Sequence, residues 1–290
     1  MADSPSHRLG ELIGDFFEAS IINYLKPIVT DKGYYLDFRH PRPARNNKRE
    51  VIGIDSNGNK HKLDIVVEEG GSEQQFGRYK AFIEMAWRRY TKHSKNKVQE
   101  ISGAIIPLVN TNEKEIPFYA AVLAGEFTQS SIVQLNSQGF FVIYINYENL
   151  CELFDDIGIS IRWEESTSES ELATMVTSLE AILGDPHKYN VLQRKFNRMF
   201  AAPLKELSTA LCKSLDTKIT EIIVVPIHGS AYISSSVIDA VDYIMNYDEN
   251  SLAPILRYEI TIKYSNDVEY TMKCKDRRTA IQFLNQYKDS

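Results

Sequence analysis

The sequence predicts an α/β protein, a mixed central sheet flanked by helices, and three observations carry that prediction. The chain opens with apolar residues at helical spacing: Leu12, Ile13, Phe16, Phe17, Ile21, Ile22 and Leu25. Short segments of strand composition follow closely, two of them joined by the polar turn Ser56-Asn57-Gly58-Asn59. Then the apolar runs 119–124 and 140–145 alternate with helical segments, and wholly apolar strands belong where helices cover both faces of a sheet.

In chain order, the first helix is expected over 11–29, with Pro27 marking a kink or an earlier end. Gly33 stops it, and 34–38 reads as a strand. Strands over 51–54 and 61–67 flank the Asn-Gly turn, 69–77 is a soft loop, and 81–86 is a further strand. Ser94 has the chemistry of an N-cap for a helix running through Val98, Ile101, Ile105 and Leu108, with Pro107 near its end. A strand over 118–124, a short helix over 128–137 closed by Gly139, and a strand over 140–145 complete this half. The Ser/Thr/Glu-rich stretch 164–171 marks a boundary, so a core of 1–165 and an accessory α/β region of 166–290 are expected. Helices in the second region are expected over 172–183, 189–215, 237–245 and 277–287, and strands over 219–227, 255–264 and 268–274.

Composition narrows the function classes. With 43% hydrophobic and 25% charged residues among 290, the chain is expected to be globular rather than disordered. Residues 1–10 lack the apolar core of a secretory leader, and the apolar runs are strand-sized, so no membrane span is expected. Cys151, Cys212 and Cys274 are far apart and odd in number, which argues against a disulfide framework or a cysteine zinc site and fits a reducing, cytoplasmic setting. No phosphate-binding Gly-rich loop ending in Gly-Lys-Ser/Thr occurs, so no nucleotide cofactor is expected. His228-Gly229-Ser230 lacks the Gly-x-Ser-x-Gly elbow of a hydrolase triad, and the six histidines show no metal-ligand spacing.

The formal net charge is -6, yet its distribution is uneven. Arg42, Arg45, Lys48 and Arg49 form one basic group, while Arg88, Arg89, Lys92, Lys95 and Lys97 form another. A phosphate-binding face needs such local basic surface whatever the overall sign. A charge run alone more often marks a solvated surface.

Two acids carry the chemistry. Asp64 in His61-Lys62-Leu63-Asp64-Ile65-Val66 and Glu84 in Phe82-Ile83-Glu84-Met85-Ala86 each interrupt an apolar strand. A carboxylate there is costly unless it is paired or binds a cation. Two of them on adjacent strands can share one hard divalent ion such as Mg²⁺, which activates water and offsets charge on a phosphate.

This arrangement resembles the PD-(D/E)XK nuclease superfamily, whose αβββαβ core follows the same order of elements. The resemblance covers about residues 10 to 150; Gly14-Asp15-Phe16-Phe17-Glu18-Ala19 and the stretch from Glu84 to Glu100 look most like type II restriction endonucleases. It implies a Mg²⁺-dependent endonuclease on double-stranded DNA, metal-bound by Asp64 and Glu84, assisted by Glu18, and working as a homodimer. Arg42, Arg45, Lys48, Arg49, Arg88 and Arg89 are the expected DNA contacts. One departure stands out: the family places Lys two residues after the Glu, and this chain has Ala86. Either the cation has migrated, to Lys97 first and then Lys95 or Lys92, or the site is degenerate and binds DNA without cutting. A repair or recombination nuclease is the remaining alternative.

Overall fold

The computed structural model describes residues 4–251 and 255–287. They form an α/β structure in two compact units that divide between Cys212 and Lys213.

In the first unit, the Ser4 hydroxyl accepts from the His7 amide and starts α1 (Pro5–Asp31), with Pro5 in the first turn where its missing amide costs nothing. Pro27 lies inside α1 without ending it. The flanking residues Leu25 and Val29 are fully buried, so packing holds the turn that lost a hydrogen bond. Gly33, with a φ of 81°, turns the chain into β1 (Tyr35–Phe38). β2 (Val51–Ile54) and β3 (Lys60–Leu63) make a two-stranded hairpin. The chain bends at Asp64 and continues as β4 (Ile65–Glu69). The single strand expected over 61–67 is therefore two strands in two sheets, with Asp64 at the joint.

β5 (Arg78–Arg88) is the central strand of a five-stranded sheet completed by β6 (Phe118–Gly125) and β7 (Phe141–Asn146), in the order β1-β4-β5-β6-β7. β1, β4 and β5 run antiparallel; β5, β6 and β7 run parallel. The parallel crossovers are α2 (Ser94–Thr111) and α3 (Gln129–Ser137). Both lie on one face, as same-handed crossovers stepping in one direction must. Val98, Ile101, Ile105 and Leu108 of α2 pack there with Val66, Phe82 and Ala86.

α1 covers the opposite face together with α4 (Tyr147–Asp155), whose Phe154 meets Phe16 at 5.6 Å between ring centroids. α4 is absent from the sequence expectation, although Asn146 caps it by accepting from the Asn149 amide. α5 (Glu169–Leu183) opens on a Ser168/Glu171 capping box, and α6 (Pro186–Met199) follows. Both pack on α1 in the first unit, beyond the boundary that composition suggested at 165. The helix expected over 189–215 breaks at Phe200 into α6 and α7 (Ala201–Leu215). Pro203 explains the break, because it has no amide for the Met199 carbonyl and its ring would collide with it.

The second unit contains β8 (Ile219–Pro226), β9 (Tyr232–Ser234), α8 (Val237–Asn246), β10 (Tyr258–Tyr264), β11 (Glu269–Cys274) and α9 (Arg277–Leu284). Its antiparallel sheet has the order β11-β10-β8-β9. Alternating Tyr258, Ile260, Ile262 and Tyr264 are buried, the period-two pattern of a sheet with one covered face. No helix among the described residues is long and apolar enough to cross a membrane.

Two residues expected at a DNA surface are instead inside the first unit. Arg42 has no exposed side-chain surface; it donates to Asp37 Oδ2 at 2.7 Å and to both carboxylate oxygens of Glu68 at 2.9 Å. Arg45 is buried as well, bonding Asp37 and the carbonyls of His40 and Lys48. These guanidinium groups neutralise buried acids and tie the 39–49 segment to β1 and β4, so neither is presented at the surface as the sequence reading expected. Removing one partner of a buried ion pair strands the other charge. Arg42→Ala is therefore expected to cost about 3–5 kcal/mol in urea unfolding, whereas Lys48→Ala, at an exposed position, changes stability by less than about 0.5 kcal/mol. Equal stability of the two variants would contradict this assignment.

Candidate metal centre and adjoining cavity

Asp64 and Glu84 meet where the β4–β5 ladder stops. The last ladder pair at this end is Ile65 with Ile83. One step beyond, side chains replace carbonyls as acceptors: the Asp64 amide donates to Glu84 Oε1 at 3.2 Å, and the Met85 amide donates to Asp64 Oδ2 at 2.7 Å. The bend at Asp64 releases its carboxylate from the strand, and the reciprocal bonds fix both acids against the backbone.

Glu84 shares a face of β5 with Phe82 and Ala86, which belong to the apolar cluster under α2, and is itself only 5% exposed. Burial first, and then the charge of Asp64, raises the Glu84 carboxyl well above its ordinary value. Burial also raises Asp64, against the Met85 amide and the charge of Lys97, which favour its ionised form. Two crowded acids thus lack positive charge, which is the condition under which a bound cation gains most.

Lys97, in the first turn of α2, supplies part of that charge. It lines a cavity of about 630 Å³ with Asp64, Glu18 and Ala86, and its Nζ lies 3.4 Å from Glu100 Oε2. The other two candidate lysines stand elsewhere. Lys95 is exposed and absent from the cavity wall. Lys92 pairs with Glu165 at 2.5 Å, with both side chains more than half exposed. Of the three, Lys97 is the one whose charge acts on both acids.

Glu18, from α1, faces the same cavity and a second, smaller one of about 200 Å³ lined by Arg39, Glu50, Lys62 and Asp64. Burial, with the charges of Asp64 and Asp15, lifts it to about 7, against the opposing charge of Arg39. Among the described residues no group of three or more His, Cys, Asp or Glu forms a metal cluster. The pair Asp64–Glu84 offers two direct oxygen ligands, and Mg²⁺ commonly takes one or two from protein while water and phosphate complete its shell. The donor chemistry therefore fits a hard divalent cation.

Of the remaining basic candidates, Lys48 and Arg49 are exposed, and Arg88 and Arg89 line the larger cavity. Arg89 is held in place: its Nε donates to the Trp163 carbonyl at 3.0 Å and its guanidinium lies 4.0 Å from the Tyr147 ring centroid. Trp163 on the cavity wall and Arg39 on the smaller one were not singled out from sequence. Arg39 stands three residues before the basic group that begins at Arg42, which is the signal that could have found it; Trp163, in an irregular segment far along the chain, carried none.

The acid crowding has a pH consequence. The folded protein holds the Glu18 proton up to about 7, against an ordinary value of 4.5. Stability from this group is complete below the ordinary value and is lost as pH rises through the folded value. Without divalent cation, wild type should therefore lose urea resistance relative to Glu18→Gln between roughly pH 4.5 and 7. Parallel pH profiles would contradict the crowding.

No family model matches the chain, and no curated protein matches it in sequence. Among solved structures, it is similar to a crystal structure of a protein of unknown function, AF1548, at 11% identity and a TM-score of 0.30, over 67% of this chain and 98% of that one. A likeness this low carries no argument about fold or activity.

Proposed function

We propose that the protein is a metal-dependent DNA endonuclease of the type II restriction class, built on the PD-(D/E)XK plan. The observation that carries this reading is the fixed Asp64–Glu84 pair, with Lys97 lining the same cavity as Asp64. Asp64 and Glu84 would hold one Mg²⁺, with Glu18 as an outer acid. When bound, such an ion lowers the pKa of water and offsets charge on the phosphate. The protein's own residues do the rest. Lys97 presents an ammonium where Ala86 leaves space, and so takes the place of the family's lysine toward the attacking water and the phosphate charge. Arg88 and Arg89 favour the phosphate backbone, and Lys48 and Arg49 add exposed positive charge. Double-stranded DNA as substrate, a homodimer on a two-fold site and a cytoplasmic setting belong to the same proposal.

A second reading, a DNA-binding protein on a decayed nuclease site, is favoured by one observation: Ala86 stands where the family has its lysine. Lys97 separates the two. With plasmid DNA and Mg²⁺ the wild type is expected to give discrete fragments, and Asp64→Ala and Glu84→Ala to give none. Lys97→Ala should lower the cleavage rate by about 10²–10³, and Lys95→Ala should leave it near wild type. Full activity in Lys97→Ala would remove that residue from the site, and cutting by Glu84→Ala would end the nuclease reading.

A further inference from the structure

The hairpin β2–β3 forms a two-stranded sheet of its own, outside the five-stranded sheet, and it is firmly mounted. Its inner face lies on α2: Val51 and Leu63 are buried, and a Cβ at Gly53 would fall 2.8 Å from Leu108 Cδ1. Its tip is tied as well. Asp55 Oδ1 accepts from the amides of Asn57 and Asn59 at 2.9 Å, and the Ser56 amide donates to Thr111 Oγ1 at 2.8 Å. A ribbon held at its inner face and its tip presents its outer side chains in one fixed geometry.

That outer face carries two cross-strand pairs, Ile52 with Lys62 and Ile54 with Lys60. All four residues are exposed, Ile54 to 55%. Strand alternation puts polar residues where a face meets only water, and here isoleucines stand beside lysines. Lys48 and Arg49, also exposed, add positive charge just before β2. Glu50 pairs with Lys62 at 2.5 Å, but the two side chains are 48% and 70% exposed. Such a surface pair is worth little, so the lysine is free to turn to another partner.

The face is about 13 Å long. A stable protein interface buries roughly 800 Å² per partner, far more than two such short strands offer. A DNA major groove, about 12 Å wide, admits a two-stranded ribbon, with apolar side chains meeting thymine methyls and lysines meeting guanine acceptors. The hairpin is also continuous with the metal centre. Leu63 directly precedes Asp64, and Glu50, Val51, Lys62 and Leu63 line the smaller cavity together with Asp64 and Glu18.

We propose that the outer face of β2–β3 is the element that reads base sequence, seated in the major groove beside the phosphate held over Asp64 and Glu84. The inference rests on the nuclease reading and adds the residues that choose the site. The two cross-strand pairs stand two residues apart, about 7 Å along the ribbon, so they meet different base pairs.

Binding selection from a randomised duplex library, with Ca²⁺ in place of Mg²⁺, tests this without requiring cleavage. Wild type is expected to enrich a defined sequence. Ile54→Ser combined with Lys60→Ala, at exposed positions, should unfold at the same urea concentration as wild type. It should lose about tenfold or more of the discrimination at some enriched positions and keep it at the others. Ile52→Ser should relax a different position. A merely structural role would weaken binding to all sequences alike. Unchanged selection by the folded variants would overturn the assignment, as would variants that turn monomeric with selection intact, which would make this face a protein contact. A wild type that binds duplex DNA without sequence preference would overturn the assignment and leave the nuclease reading standing. Failure of wild type to bind duplex DNA would overturn both.

Discussion

Two carboxylates are held against the end of a β ladder with too little positive charge around them. This constraint organises the end of the central sheet in the first unit. Asp64 and Glu84 each accept a backbone amide from the other's strand segment, so neither can turn away to solvent without leaving a buried donor unpaired. Their mutual repulsion is then a property of the fold, eased in part by Lys97 and raised further by burial. Crowded in this way, both carboxyls are held above their ordinary values.

The surrounding elements keep that arrangement in place. β5 is central in its sheet, so Glu84 is backed by β6 on one side, meets the Asp64 bend on the other, and shares its face with the residues packed under α2. The crossover that returns the chain from β5 to β6 begins with α2, which brings Lys97 in its first turn to the strand end that carries the acids. α1 closes the other side and contributes Glu18. The buried Arg42 and Arg45 have a separate task. They neutralise Asp37 and Glu68 on the neighbouring strands, so the sheet edge beside the site carries its own matched charges.

Much of this was legible in sequence because its signals are local. The helical stripe of α1, the Asn-Gly hairpin and the apolar runs of β6 and β7 each declare themselves within a few residues. Asp64 and Glu84 were recognisable because a carboxylate inside an apolar run needs a reason. What escaped depends on contacts distant in sequence. Nothing local separates the buried Arg42 and Arg45 from the exposed Lys48 and Arg49, since partners in β1 and β4 decide their burial. The helix break at Phe200 was readable in principle from Pro203, and the apolar periodicity running through 189–215 masked it. Asp64 was expected inside one strand, and only the pairing of β3 with β2 and of β4 with β5 reveals the joint. Trp163 reaches the site through Arg89 and Tyr147, a route with no local trace.

Mn²⁺ titration followed by electron paramagnetic resonance tests the central claim most directly, because it counts bound ions without requiring DNA or turnover. The account predicts a single tight Mn²⁺ site per chain in the wild type, lost in Asp64→Asn and in Glu84→Gln while both variants stay folded. A wild-type protein that leaves Mn²⁺ free, or variants that bind it as well as wild type does, would contradict a cation centre built on these two acids.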